Sequence, residues 1–171
     1  MLLAGALVST AQLMVIALRA NMAAQRQSTT STLAQEKLEQ LRGLAWGFDE
    51  LGLPTNDFST DLTVEPAVAI GGVGLTPSPG DALASNMTGY VDYLDRYGAS
   101  LGGGPTPPAG AVYVRRWSVE PLPTNPNNTI VIQVLVSPMS NESSRRPTAG
   151  NARRRMAGDA LLTSVKTRKA S

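Results

Sequence analysis

The first 46 residues change from an uninterrupted apolar stretch to an amphipathic one. Residues 1–18 contain no charged residue, and no Pro or Gly occurs in residues 6–42. Because nothing in this stretch breaks a helix, we predict one continuous helix over residues 2–46, roughly 68 Å long at 1.5 Å per residue. Residues 27–32 are poor helix formers, so we expect any local melting of the helix to occur there.

The two halves of this helix predict two different environments. The first half is apolar on all sides, which favours lipid or other helices as its surroundings; the side chains expected to make those contacts are Leu3, Leu7, Leu13, Met14, Ile16 and Leu18. In the second half apolar residues recur with a helical period and predict one face packed on a domain. The side chains of that face are Ala34, Leu38, Leu41 and Ala45.

Turn residues and short apolar runs dominate the rest of the chain. Alternating or β-branched runs predict five strands, at residues 58–65, 90–94, 112–120, 130–137 and 161–167. The Pro- and Asn-rich connection at 121–128 predicts that the third and fourth strands form an antiparallel pair. A long helix followed by strands indicates an α+β fold with an antiparallel sheet. We expect the long loops at 67–87, 98–110 and 138–159 to be mobile surface.

This pattern divides the chain into three parts. Residues 1–24 form the apolar helix half, residues 25–47 the amphipathic helix half, and residues 48–171 a loop-rich sheet domain. A cleaved secretory signal is an alternative for the first part, but no Lys or Arg precedes the apolar run and the helix pattern continues past it.

Composition then narrows the function classes. The chain has 171 residues with no Cys and no His, so it lacks thiolate nucleophiles and also the commonest general base and metal ligand. An enzyme is therefore not expected, and neither a cofactor, nor a metal, nor a small-molecule substrate is implied. Two Gly clusters at 71–74 and 102–104 lack the Lys-Ser/Thr that completes a phosphate loop. Asp92 and Asp95 would bind calcium only with further oxygen ligands.

Charge is divided unevenly along the chain. Residues 1–141 hold 7 Lys/Arg and 11 Asp/Glu, whereas residues 142–171 hold 8 and 2. A solvated loop explains this basic end; attraction to anionic lipid or to DNA phosphates is the sharper alternative, and it would make the chain a membrane-tethered binding module. The candidate anion-binding residues are Arg145, Arg146, Arg153, Arg154 and Arg155. Trp117 follows two arginines, but we expect a strand Trp in the core.

The helix carries a resemblance to a known family. The segment LAQEKLEQLR at 33–42, together with AQL at 11–13 and ALRAN at 17–21, is similar to the N-terminal helix of type IV pilin-like proteins. The likeness is greatest to PilV-type minor pilins and to the pseudopilins of type II secretion, and it covers about residues 7–46. Members of that family begin with a basic leader ending in Gly, followed by an aromatic residue and a glutamate. Those features fall ahead of Met1, so we expect a miscalled gene start, a truncation or a divergent member.

The resemblance implies a structural subunit rather than an enzyme. It implies a single-pass protein of the bacterial inner membrane whose C-terminal domain is periplasmic or part of an extracellular filament. Its partners would be other pilin-like subunits and inner-membrane assembly proteins. The helix would be held in the membrane before assembly and would then pack among equivalent helices in a filament core.

Overall fold

The computed structural model describes residues 2–144 and 155–168, with side chains described from residue 12 onward. The fold is α+β, as the sequence predicted, with one long N-terminal helix and a C-terminal antiparallel sheet. The elements in chain order are α1 (Leu2–Gly43), β1 (Trp46–Phe48), β2 (Pro54–Asn56), β3 (Val91–Leu94), β4 (Ser100–Gly103), β5 (Tyr113–Pro121), β6 (Thr129–Pro138), α2 (Met139–Ser144) and β7 (Ala160–Thr167).

Five of the strands form the main sheet in the order β4-β3-β5-β6-β7, and every neighbouring pair is antiparallel. β5 and β6 pair without a break from Tyr113↔Pro138 to Pro121↔Ile130, which confirms the predicted antiparallel pair. β1 and β2 form a separate two-stranded hairpin next to the C-terminal end of α1. The main sheet therefore has β4 at one edge and β7 at the other.

The main core lies between α1 and one face of the sheet. α1 packs over β6 and β7, and period-2 alternation turns every second residue of those strands toward it. Trp117 is fully buried in this layer, as the sequence predicted. The other buried strand residues of the core include Val119, Ile130, Ile132, Val134, Val136 and Ala160. On the opposite face a small cluster of Val91, Tyr93 and Val114 packs under Met139.

The helix ends three residues earlier than predicted. Lys166 on β7 donates hydrogen bonds to the backbone carbonyls of Arg42, at 2.5 Å, and of Leu44. A cation that binds these last carbonyls stabilises a helix end, because the carbonyls otherwise have no partner. Ala45 lies beyond this end and is exposed, so the prediction that it packs on the sheet was wrong.

The predicted strand at 58–65 was also wrong, since only Asp61 makes a bridge there, to Val68. Asp57 accepts hydrogen bonds from the backbone N–H groups of Ser59 and Thr60, and Asp61 accepts one from that of Thr63. Such side-chain bonds to nearby backbone favour turns over strands. The fifth strand of the sheet is instead β4, inside the predicted loop at 98–110.

Part of the segment at 67–87, which was predicted to be surface, packs into the core, whereas residues 67–71 are exposed. Leu75 is fully buried and Ala82 nearly so, and both belong to the main core. Gly72 lets this segment approach the backbone at Asp61, because a Cβ on Gly72 would stand 2.2 Å from the Asp61 Cα. The predicted loop at 138–159 begins with the helix α2.

Leu41 provides a test of the helix–sheet core. It is fully buried on α1, so Leu41→Ala should lower the free energy of unfolding by about 2–5 kcal/mol. Leu53→Ala is the matched control, because Leu53 is exposed and its truncation should change stability by less than about 0.5 kcal/mol. Urea denaturation of both variants measures this difference. Equal effects of the two substitutions would contradict the packing described.

Candidate functional site

The described part of the first half of α1 is exposed along its length. Every residue from 12 to 29 is exposed, a stretch of about 27 Å at 1.5 Å per residue. Six large apolar side chains in it are 47–66% exposed: Leu13, Met14, Val15, Ile16, Leu18 and Met22. The side chains of the predicted contact residues Leu3 and Leu7 lie outside the described residues.

These side chains surround the helix rather than form a stripe. Residues 13–18 are all apolar, and successive residues of an α-helix point about 100° apart. A helix that is apolar on all sides needs a surrounding environment, whereas a flat partner would cover only one face. Among the described residues, no helix contains a stretch both long enough and apolar enough to cross a membrane.

Polar residues between the halves do not interrupt the helix in this structure. Thr29, Thr30 and Thr32 each donate a side-chain hydrogen bond to the carbonyl four residues earlier, at 3.0–3.1 Å. These bonds satisfy the hydroxyl groups inside the helix, so the side chains need no partner elsewhere. The local melting expected at 27–32 is therefore not observed.

The second half of α1 docks on the sheet through a continuous stripe. Ala34, Leu38 and Leu41 are buried, together with Leu33. Lys37 lies on the same stripe and is fully buried as well. A charged side chain on the buried face of a helix requires a partner, and β3 and β5 provide it.

The partner is a buried ion cluster formed by Lys37, Asp92 and Arg115. Asp92 on β3 lies opposite Arg115 on β5 in the strand register, and both are buried. The Arg115 guanidinium donates to both carboxylate oxygens of Asp92, at 2.6–3.2 Å, in the bidentate geometry that arginine favours. The Lys37 ammonium is 3.1 Å from Asp92 Oδ2. Arg115 also donates to the backbone carbonyl of Leu33 at 3.1 Å, so the cluster joins α1 to two strands.

Lys37 has further contacts that fix its position. Its ammonium lies 4.6 Å from the centroid of the Trp117 ring and donates to the Leu62 carbonyl. Burial lowers the pKa of Lys37 to about 8, even though Asp92 opposes this shift, and the nearby Arg115 charge lowers it further. Desolvation is the largest cause of the lowered pKa of Lys37, and the second cation of the cluster, Arg115, acts in the same direction against the attraction of Asp92.

The sequence contained a signal for this cluster that was missed. Position 37 falls on the helical stripe with Ala34, Leu38 and Leu41, so its burial follows from the period. Asp92 and Arg115 are charged residues inside strands that are otherwise largely apolar. Three charges at inward positions predict a paired cluster, since buried charges are found paired.

Arg116 lies on the opposite face of the sheet. It is buried and donates to the side-chain oxygen of Asn86, at 2.5 and 2.9 Å, and to Glu142 on α2 at 2.9 Å. The amide nitrogen of Asn86 donates in turn to the Pro105 carbonyl at 3.1 Å. These contacts hold α2, Asn86 and Pro105 on the face of the sheet opposite α1, which is the outer face, and this role is structural.

The carboxylates considered for calcium have other partners. Asp92 binds the two cations of the ion cluster. Asp95 accepts hydrogen bonds from the backbone N–H groups of Tyr97 and Ala99, at 2.7 and 2.9 Å, and so forms the turn between β3 and β4. The two side chains therefore do not converge on one site.

The basic loop falls mostly outside the described residues, namely Arg145, Arg146, Arg153 and Arg154. Arg155 is exposed and lines an open groove of about 250 Å³ on the outer face of the sheet. Asp81 and Glu120 line the same groove, so the arginine faces carboxylates of its own chain. This mixture of charges gives no support to an anion site at Arg155.

Substitutions in the ion cluster should have unequal effects. Asp92→Asn leaves two buried cations without a counter-charge and should lower the free energy of unfolding by about 3–5 kcal/mol. Lys37→Met is the matched variant: it keeps the Asp92–Arg115 pair and replaces the lysine by an apolar side chain of similar length. It should cost no more than about 1.5 kcal/mol, mostly for the lost bond to Leu62. Urea denaturation at pH 7 measures both, and a larger loss in Lys37→Met would refute this assignment.

Stability should also rise with pH above 8. The pKa of Lys37 is about 8 in the folded chain and 10.5 as its ordinary value. Between these values the unfolded chain retains a proton that the folded chain has released, so raising the pH favours the folded state, by up to about 3 kcal/mol in all. Burial raises the pKa of Tyr90 and Tyr93 above 10.0, which acts in the opposite direction only above pH 10.

The measurement is denaturation from pH 7 to 10 with Lys37→Met as control. Lys166 also has a lowered pKa, because of burial, and remains in both proteins. The difference between the two profiles therefore isolates Lys37. Parallel profiles would show that Lys37 does not titrate in this range.

Comparison with known proteins does not assign a family. The protein-family models, the curated proteins and the solved structures that were searched contain no match to this chain. The likeness of residues 7–46 to pilin-like helices stays a prediction. A functional proposal therefore rests on the residues of this chain and their geometry.

Proposed function

We propose that this chain is a structural subunit of a pilin-like filament, a minor pilin or a pseudopilin, that assembles through the first half of α1. The observation that carries the proposal is the division of one continuous helix into a half buried on its own sheet and an apolar half with every described residue exposed. Exposed apolar surface of this extent is typical of sites that contact other proteins or a membrane.

The amount of exposed apolar surface favours an assembled subunit over an isolated chain. Fully burying one large apolar side chain contributes about 1.5–3 kcal/mol. Six such side chains therefore offer on the order of 10 kcal/mol before the entropic cost of association is subtracted. Because they surround the helix, several neighbouring helices or a lipid environment would realise this gain, whereas a single flat partner would not.

The docked half explains how the domain is held. The ion cluster and the stripe at Ala34, Leu38 and Leu41 hold the sheet domain at one end of the helix, so the apolar half extends beyond the domain. In the proposed role the sheet domain lies at the surface of the filament, while neighbouring helices or lipid surround the apolar half of the helix. The proposal places the chain in the bacterial inner membrane before assembly, with pilin-like subunits and assembly proteins as partners. It assigns no catalytic role.

Deleting residues 1–24 should separate folding of the sheet domain from assembly through the apolar half of the helix. The described side chains removed by this deletion are exposed, so the remaining domain should stay folded, with a free energy of unfolding within about 1 kcal/mol of the full chain. The full chain should float with phospholipid vesicles or sediment as assemblies, and the truncated chain should do neither. Circular dichroism, urea denaturation and flotation measure these outcomes. An unfolded truncated chain would contradict the proposal.

A point substitution makes the same test without a deletion. Ile16→Arg places a charge in the exposed apolar half and should abolish flotation and assembly while leaving unfolding unchanged. Gln25→Arg is the matched control, because it adds the same charge in the polar region of the helix. If Ile16→Arg and Gln25→Arg behave alike, the apolar half is not the assembly surface.

A further inference from the structure

The turn between β1 and β2 exposes one bulky side chain, and hydrogen bonds to an aspartate hold the backbone of the turn. The Asp49 carboxylate accepts hydrogen bonds from the backbone N–H groups of Leu51 and Leu53, at 2.9 and 2.8 Å. Gly52 has a φ of 75°, which favours glycine at this position of the turn. Leu51 is 84% exposed at the tip.

The turn between β3 and β4 repeats this construction residue for residue. Asp95 accepts from the backbone N–H groups of Tyr97 and Ala99, at 2.7 and 2.9 Å, and Gly98 has a φ of 85°. Tyr97 occupies the position of Leu51 and is 85% exposed. The two five-residue segments, 49–53 and 95–99, are named here the leucine turn and the tyrosine turn.

The two turns differ in the sign of one exposed charge. The second residue is Glu50 in the leucine turn and Arg96 in the tyrosine turn, and both are exposed. Each turn therefore presents an apolar tip beside a charge, with opposite charges on equivalent frames. Surfaces of this kind are complementary to each other, and the opposite charges would fix how they meet.

The turns lie on opposite sides of the domain. The tyrosine turn joins β3 and β4 at one edge of the sheet, while the leucine-turn hairpin contacts β7 at the other edge. Arg168, directly after β7, donates to the Gly47 carbonyl of β1 at 3.3 Å. Two turns on opposite sides of one chain reach each other only between different copies.

The turns are also displaced along α1. The tyrosine turn lies beside Leu33, since a Cβ on Gly98 would be 3.0 Å from Leu33 Cδ2. The leucine-turn hairpin begins just after the helix end at Gly43. Ten helical residues, about 15 Å along the axis, separate Leu33 from the helix end that precedes this hairpin.

We propose that copies of this chain associate side by side, with the tyrosine turn of one copy against the leucine turn of the next. Tyr97 packs on Leu51 and Arg96 pairs with Glu50, in copies offset along the helix direction. The contact uses two different surfaces, so it repeats from copy to copy instead of closing a pair. Because both turns are already fixed by an aspartate, little loop ordering is required on contact. This inference names a subunit contact and rests on the proposed assembly function.

Cysteine cross-linking of the full chain tests this contact directly, because the natural sequence contains no Cys. Glu50→Cys chains mixed with Arg96→Cys chains and oxidised in lipid vesicles should give a disulfide-linked dimer of the two. Each variant alone should give no more dimer than Thr124→Cys, an exposed control in the β5–β6 loop. One chain carrying both cysteines should give a ladder of dimers, trimers and longer products.

The same experiment overturns the proposal in two ways. Mixed-variant dimer no more abundant than the Thr124→Cys background would show that the turns do not meet. Dimers of Glu50→Cys alone that exceed the mixed product would show a symmetric contact instead. If either result appears while Ile16→Arg still abolishes assembly, the turn contact fails and the proposed function stands. If Ile16→Arg has no effect either, both fail.

Charge reversal provides an independent readout by sedimentation of the full chain. Glu50→Arg and Arg96→Glu should each weaken association about tenfold, because an attraction becomes a repulsion. The double variant Glu50→Arg/Arg96→Glu should restore association to within about threefold, since it exchanges the two charges. Failure of the double variant to recover would overturn the charge pairing.

Discussion

The buried carboxylate of Asp92 is the constraint around which the domain is organised. A carboxylate in this position needs positive partners, and it receives them from β5 through Arg115 and from α1 through Lys37. The same two cations bind the carbonyls of Leu33 and Leu62. One charge therefore joins the helix, two strands and the segment after β2. Each of these contacts depends on direction and distance, so together they define the position of the helix on the sheet.

Because the helix is held in this position, its two halves have different surroundings. The stripe that includes Ala34 and Leu41 is occupied by the sheet, so the helix cannot offer it to another molecule. The half from residue 12 to 29 remains outside the domain. Proteins that expose apolar surface of this extent normally do so because something else covers it, and the polar Ser/Thr run marks where the two environments meet.

The sequence predicted the elements whose residue patterns are strong. The helix follows from a long stretch without Pro or Gly, the β5–β6 pair from β-branched runs around a Pro- and Asn-rich connection, and β7 from alternation, and Trp117 was correctly placed in the core. The failures have local causes. Backbone N–H groups donate hydrogen bonds to the Asp57 and Asp61 side chains, and these bonds favour turns over a strand at residues 57–63. The strand β4 consists of Ser, Leu and two Gly, a composition with little strand propensity. Ala45 continues the period, but the helix ends at Gly43, a residue that disfavours helix, and Lys166 of β7 binds carbonyls at that end.

The order of the segments along the chain has a consequence for biosynthesis. The strands that cover the docked half of α1 come roughly a hundred residues after the helix. A ribosome releases the helix long before it has made β6 and β7. Until those strands have been made, the helix has no sheet to pack on. Any partner of that helix has access to it before the fold exists, so engagement of the helix and folding of the domain are separated in time.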